Sequence, residues 1–183
     1  MLADTYNSYG NGSAMRVSYI AEYSTSIEEV KLFAKESAIC THNYKEGVKG
    51  AVVTAICGWM AKNGKSKNEI YDYALSQYPS PEYRFGVDIP LSSLKISYQW
   101  DVTCQGSVPV AIRCFLESND YKDFLYNVLS LDCDTDTLCA IGGGIAEEFY
   151  GTTGFNNDEI MKRYLDDFLY DIVMVWDYWA VYM

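Results

Sequence analysis

Twice along this chain a serine stands three residues ahead of a glutamate at the head of an apolar run, as Ser26-Ile-Glu-Glu29 and as Ser66-Lys-Asn-Glu69. Such a pair reads as a capping box, in which the hydroxyl takes an orphan N–H of the first turn and the carboxylate reaches back. The first box predicts a helix to about Ile39, the second a helix through Ile70, Tyr73 and Ala74 to about Tyr78. Between them Val48, Ala51, Val52, Ala55, Ile56, Trp59 and Met60 recur at i, i+3, i+4 and i+7, one stripe of a 3.6-residue period, and Gly64 is placed to stop the helix. Further helices are expected from Ser107, with Pro109 in the first turn, to about Glu117, over Tyr121 to Leu129, and over Asp136 to Tyr150. A last one begins near Asn157-Asp158 and carries Ile160, Tyr164, Leu165, Phe168, Leu169, Ile172, Val173 and Trp176 on one broad face. The stretch from Pro79 to Gln105 reads as loop with short helical turns. Alternating strand patterns are nearly absent, so the fold class is all-α, in one helical domain over 1–183.

Composition narrows the function. With 183 residues, 49% apolar and 21% charged, the chain has an ordinary globular mix, which excludes general disorder. Its net charge of −11 repels phosphate backbones and anionic lipid, so neither nucleic acid nor a membrane surface is an expected partner. None of the six cysteines forms a C-x-x-C pair, and several sit in apolar periodic runs as buried thiols do. Met1-Leu-Ala-Asp-Thr-Tyr6 carries no signal-peptide pattern, and no uncharged apolar run reaches about 18 residues. A cytoplasmic location is expected.

The sharpest local feature is Asp132-Cys-Asp134-Thr-Asp136-Thr137, immediately before an apolar, glycine-rich helix. Carboxylates at i and i+2 with a hydroxyl at i+3 converge on a hard cation where the backbone turns into a helix. The plainer reading is an acidic N-cap, although three aspartates exceed what a cap needs and repel one another without a cation. An EF-hand starting at Asp132 fails, because Thr137 and Gly143 stand where glycine and glutamate are required. A phosphatase-type D-x-D-x-T fails at Leu138. In Tyr9-Gly-Asn-Gly12-Ser-Ala-Met-Arg16, the glycines let backbone N–H groups approach an anionic or polyhydroxyl ligand, with Asn11 and Ser13 adding polar contacts; a tight turn before a helix is the alternative. His42 is the single histidine, so no second imidazole can complete a zinc site or a Ser/His/Asp triad with it. Cys104 has no base near it in sequence and is not a candidate nucleophile.

In order, Ser8-Tyr-Gly-Asn-Gly-Ser-Ala-Met-Arg-Val-Ser18, Thr41-His-Asn-Tyr-Lys-Glu-Gly-Val-Lys-Gly-Ala51, Asp101-Val-Thr-Cys-Gln-Gly-Ser-Val-Pro109 and Asp134-Thr-Asp-Thr137 resemble the motifs of the ADP-ribosylglycohydrolase family, in particular bacterial enzymes like dinitrogenase reductase-activating glycohydrolase. The resemblance implies an orthogonal multi-helix bundle around two divalent cations, Mg²⁺ or Mn²⁺, that cleaves the bond from the C1″ carbon of ADP-ribose to a modified acceptor. It implies that Asp134, Asp136 and Thr137 form the C-terminal half of the metal site. It further implies that Tyr9, Gly10, Asn11, Gly12 and His42 line the ADP-ribose pocket. Family members also carry an acidic active-site residue on a glycine-rich opening helix and a Thr-Asp-Asp-Thr motif; neither is found here, and the Asp166-Asp167 pair falls inside the expected terminal helix. Asp132-Cys133 replaces the family's usual Gly-Gly.

These departures set the expectations. The chain is read as lacking the family's N-terminal segment, with the catalytic acid unassigned, weak or single-metal occupancy, and hydrolysis that requires the missing half. One alternative is a protein that binds or sequesters ADP-ribose, or a related nucleotide, without cleaving it. Another is a structural helical subunit. Apolar faces uncovered by the missing segment predict self-association or a partner chain, with Trp176-Asp-Tyr-Trp-Ala-Val-Tyr-Met183 as a candidate contact surface.

Overall fold

The computed structural model of the chain describes residues 6–182, with side chains described through Val175. The opening residues Met1 to Thr5 and the side chains of the Trp176–Met183 contact surface lie outside the described residues. Among the described residues there is no β-strand, only an isolated antiparallel bridge between Gly10 and Thr103, so the all-α expectation holds. No helix among them is long and apolar enough to cross a membrane.

The helices in chain order are α1 (Gly12–Met15), α2 (Ser18–Tyr23), α3 (Ile27–His42), α4 (Lys45–Lys62), α5 (Lys67–Gln77), α6 (Leu91–Ser97), α7 (Cys104–Leu116), α8 (Tyr121–Leu129), α9 (Thr135–Tyr150), α10 (Asn157–Tyr164) and α11 (Asp167–Tyr182). Local chemistry starts most of them. Ser66 and Glu69 close a complete capping box on α5. On α3, Ser26 accepts from the Glu29 N–H at 3.3 Å, but Glu29 Oε2 takes the N–H and hydroxyl of Thr25, both at 2.8 Å. Asp120 caps α8 through the Asp123 N–H at 2.8 Å. Gly64, at φ +72°, adopts the left-handed conformation that ends α4.

Helix α4 is the axis of the bundle, packed against α1, α2, α3, α5, α7 and α9. Its periodicity predicts one buried stripe, yet Gly47, Gly50, Val53, Thr54, Cys57, Gly58 and Ala61 are buried as well, because neighbours close on it from several sides. One core cluster lies between α4 and α5, α7, α8 and α9, and holds Phe115, Phe124, Leu138 and Ile141. A second, with Val17, Val30, Ala34, Ala38 and Ile56, joins α3 to α4. Glycine permits the closest crossings: a Cβ at Gly50 would stand 2.6 Å from Cys104 Sγ, and one at Gly142 2.7 Å from the Phe124 ring.

Helix α3 runs on past Ile39 to His42, and two further boundaries differ from expectation. Helix α7 starts at Cys104, not at Ser107, because the Thr103 hydroxyl caps Gly106 N–H at 3.2 Å and nucleates the turn ahead of Pro109. The single C-terminal helix is two: Leu165 is extended, and Asp166 accepts the Leu169 N–H at 2.8 Å, so Asp166 heads α11 and does not lie within a helix. Nor does α10 bury a face, since none of its residues is buried.

Candidate active site

The approach to α1 is pinned from several directions. Gly10 donates its N–H to Ser8 Oγ at 3.0 Å and bridges to Thr103. Asn11 Nδ2 donates to Ser107 Oγ at 2.9 Å, and that hydroxyl donates to the Asp101 carbonyl at 3.0 Å. Ser13 is fully buried and donates to the Gly47 carbonyl at 2.8 Å. The expectation that Ser13 faces a ligand is therefore corrected, since Ser13 ties α1 to α4; the Asn11 amide nitrogen ties the loop to α7. Tyr9, 65% exposed, faces outward with its ring 4.4 Å from that of Tyr44.

His42, the last residue of α3, is buried beneath this loop. A Cβ at Gly12 would lie 3.4 Å from its Nε2 and one at Gly10 3.9 Å, so glycine at both positions lets the imidazole approach the backbone. Thr41 Oγ1 accepts from an Arg16 guanidinium nitrogen at 2.7 Å and lies 2.7 Å from His42 Nδ1. The Thr41 contact holds the ring by Nδ1 and turns Nε2 toward the glycines. Burial, helped by the Arg16 charge, lowers the His42 pKa and keeps the ring neutral at pH 7. Arg16 also holds the Ser37 carbonyl at 2.6 Å.

The acidic turn opens α9. Asp134 occupies the N-cap position without a side-chain capping bond, and the Thr137 N–H goes instead to Asp136 Oδ1 at 3.0 Å. The two carboxylates act on one another, which raises the Asp134 pKa through Asp136 and lowers that of Asp136 through Asp134. Thr137 is buried and its hydroxyl reaches Met15 Sδ at 3.7 Å. Met15 ends α1 and Gly12, against His42, begins it. Thr137 of α9 thus touches the last residue of α1, and the first residue of α1 touches the imidazole. Among the described residues no group of three His, Cys, Asp or Glu side chains assembles that could hold a metal ion.

Sequence reasoning did not single out the Arg16–Thr41 support of His42, or the Asp101–Ser107 anchor of Asn11. Both join segments far apart in the chain, and only the recurrence of the motifs in one order links them. Cys104 is buried and its thiol pKa is raised by that burial, as its dismissal as a nucleophile requires. A separate cavity of about 380 Å³ between α2 and α9 is lined by Glu22, Glu147 and Glu148 together with Ser18 and Gly144. There burial, and a hydrogen bond to Glu22, push the Glu148 carboxyl up to about 7, while Lys62 pairs with Glu22 at 3.0 Å.

Comparison with known proteins identifies the family. The family model described as ADP-ribosylglycohydrolase matches residues 2–174. The chain is 28% identical to ADP-ribosylhydrolase ARH3 of Homo sapiens over 184 aligned residues, covering 79% of this chain and 51% of that protein. It is 29% identical to ADP-ribosylhydrolase ARH3 of Mus musculus, covering 50% of it. The chain spans about half the length of the curated relatives it matches. A solved structure titled "ADP-ribosylglycohydrolase-related protein complex" superposes with a TM-score of 0.57 at 22% identity, over 78% of this chain and 50% of that one, a likeness of fold. With the family match spanning nearly the whole sequence, the chain belongs to the ADP-ribosylglycohydrolase family.

Proposed function

We propose that this chain carries the C-terminal acidic half of a divalent-metal site and the ADP-ribose loop of a hydrolase that cleaves the bond from the C1″ carbon of ADP-ribose to a modified acceptor. The observation that carries this reading is the contact of Thr137, beside the aspartates of α9, with Met15 at the end of α1, the helix whose first residue, Gly12, stands against His42. The donor set fits Mg²⁺ or Mn²⁺: carboxylate and hydroxyl oxygens are hard, and the repulsion between the neighbouring Asp134 and Asp136 carboxylates is what a cation would relieve. Asp134, Asp136 and Thr137 would hold the ion, which when bound polarises ribose hydroxyls and water and offsets pyrophosphate charge. The backbone of Gly10 to Gly12 permits close approach of the pyrophosphate, and neutral His42 turns its Nε2 toward the phosphate or ribose. Tyr9 gives the pocket an exposed aromatic wall. Two carboxylates leave most of a cation's shell to water, so occupancy is weak or single, and full hydrolysis requires the family's other acidic half.

A second reading, binding of ADP-ribose without cleavage, is favoured by the absence of a third acidic ligand among the described residues. Two assays separate them: calorimetry with ADP-ribose, and release of ADP-ribose from ADP-ribosyl-serine or ADP-ribosyl-arginine peptides with Mg²⁺ or Mn²⁺. Binding with metal-dependent release supports the hydrolase, and binding without release supports the binder. No heat at millimolar ADP-ribose contradicts both.

A further inference from the structure

Arg16 stands with Val17 in the short corner between α1 and α2. Its guanidinium spans the last turns of α3. One terminal nitrogen donates to the Ser37 carbonyl at 2.6 Å and to Thr41 Oγ1 at 2.7 Å, and Nε donates to Ser37 Oγ at 3.4 Å. Ser37 and Thr41 are i and i+4 on one helix, so a planar fork reaches both at once. A cation is also favoured there, at the negative end of the helix dipole. The Arg16 side chain is exposed, so this brace is made on the surface, outside the packed core.

The brace reaches the imidazole through one atom. Thr41 Oγ1, held by Arg16, lies 2.7 Å from His42 Nδ1. The Thr41 carbonyl accepts the Ser8 N–H at 2.9 Å, so this residue joins the end of α3 to the ring and to the approach of the glycine loop. On the ring's other side, Nε2 faces Gly12 and Gly10, where a Cβ would stand 3.4 and 3.9 Å away. The χ2 torsion of histidine is broad, so the backbone of His42 alone does not fix where Nε2 points. We propose that Arg16 is a positioning residue: acting through Thr41, and without touching the ligand, it holds the His42 ring with Nε2 at the glycine loop. The proposal rests on the reading of that loop and ring as the ADP-ribose site.

Two observations separate this role from that of a plain surface tie. A tie between the α1–α2 corner and α3 needs only the Ser37 carbonyl, yet the same nitrogen also takes the hydroxyl that meets the ring. The charge acts on the ring as well: burial first, and then Arg16, lower the His42 pKa, against the tendency of a helix C-terminus to favour a protonated imidazole. Removing Arg16 therefore both frees the ring and raises its pKa.

The test is a double-mutant cycle on the Kd of ADP-ribose at about pH 8, where an imidazole is neutral. Arg16→Met and Thr41→Val are each expected to weaken binding about three- to tenfold, the worth of one oriented hydrogen bond. Arg16→Lys should fall between Arg16→Met and wild type. In a His42→Ala background neither Arg16→Met nor Thr41→Val should change Kd further. Equal losses in the two backgrounds, as a purely structural tie or direct contact of Arg16 with the ligand would give, overturn the proposal, and so does an unchanged Kd in the presence of His42. A second measurement needs no ligand. His42 is the only histidine, so in an untagged chain its ring signals in NMR are unambiguous, and Arg16→Met should shift them and raise their titration midpoint. Ring signals that Arg16→Met leaves unchanged overturn the proposal whether or not ADP-ribose binds. Shifted ring signals in a chain whose wild type does not bind ADP-ribose overturn instead the reading of the site on which it rests.

Discussion

The glycine loop and the C-terminal helix pair are held in opposite ways. Around the loop four side chains are anchored on elements distant in sequence: Asn11 on Ser107, Ser13 on Gly47, Arg16 on Thr41, Thr137 on Met15. Between α10 and the described part of α11 the polar contacts are local and exposed, the Lys162–Asp158 ion pair at 2.7 Å and the Tyr170–Asp158 hydrogen bond at 2.7 Å. Exposed pairs of that kind contribute about 0–1 kcal/mol. The difference teaches where rigidity is placed. The residues proposed to meet ADP-ribose sit where four helices cross, and the terminal pair is drawn from the low end of local stability.

Substitutions can break that contrast. Gly50→Ala should cost about 2–3 kcal/mol, because the new methyl would stand 2.6 Å from Cys104 Sγ and 2.7 Å from its Cβ where α4 crosses α7. Thermal unfolding should show a fall in Tm of roughly 5–10 °C. The Glu22–Glu148 pair between α2 and α9 gives a smaller, pH-dependent effect. The Glu148 carboxyl, raised from 4.5 to about 7 in the folded chain, makes the unfolded state bind fewer protons between those values, so this group lowers stability as pH climbs from about 5 to 7. Glu148→Gln should flatten the slope and leave the variant more stable than wild type at pH 8. For this half-exposed group the gain, discounted for solvent screening, is roughly 1 kcal/mol, or about 2–4 °C. Ile160→Ala on α10, 43% exposed, should move stability by less than about 0.5 kcal/mol. A loss there comparable to that at Gly50 would show that α10 is buried by something else.

What could be read from the sequence follows the same division. The Ser66–Glu69 box and the extent of α8 are settled within a few residues, and both elements lie where local pattern puts them. The start of α7 and the break at Leu165 turned on which of several possible caps is used, and periodicity does not encode that choice. The apolar residues of α10 and α11 have the spacing of a core face, but spacing cannot say whether anything lies opposite. At the site, the sequence shows the aspartates, the glycines and the imidazole. It does not show that Ser13 turns inward to Gly47, because that bond spans 34 positions.

The central claim is that the aspartates of α9 and the Gly10–Gly12 loop with His42 serve one ligand. Its most direct test is the Kd of ADP-ribose measured with and without Mg²⁺, in wild type and in Asp136→Asn. One shared site predicts that Mg²⁺ tightens ADP-ribose binding about tenfold or more in wild type, that the variant loses this gain, and that His42→Ala weakens binding in either condition. An ADP-ribose affinity that is the same with and without Mg²⁺, or a gain that persists in Asp136→Asn, would contradict it.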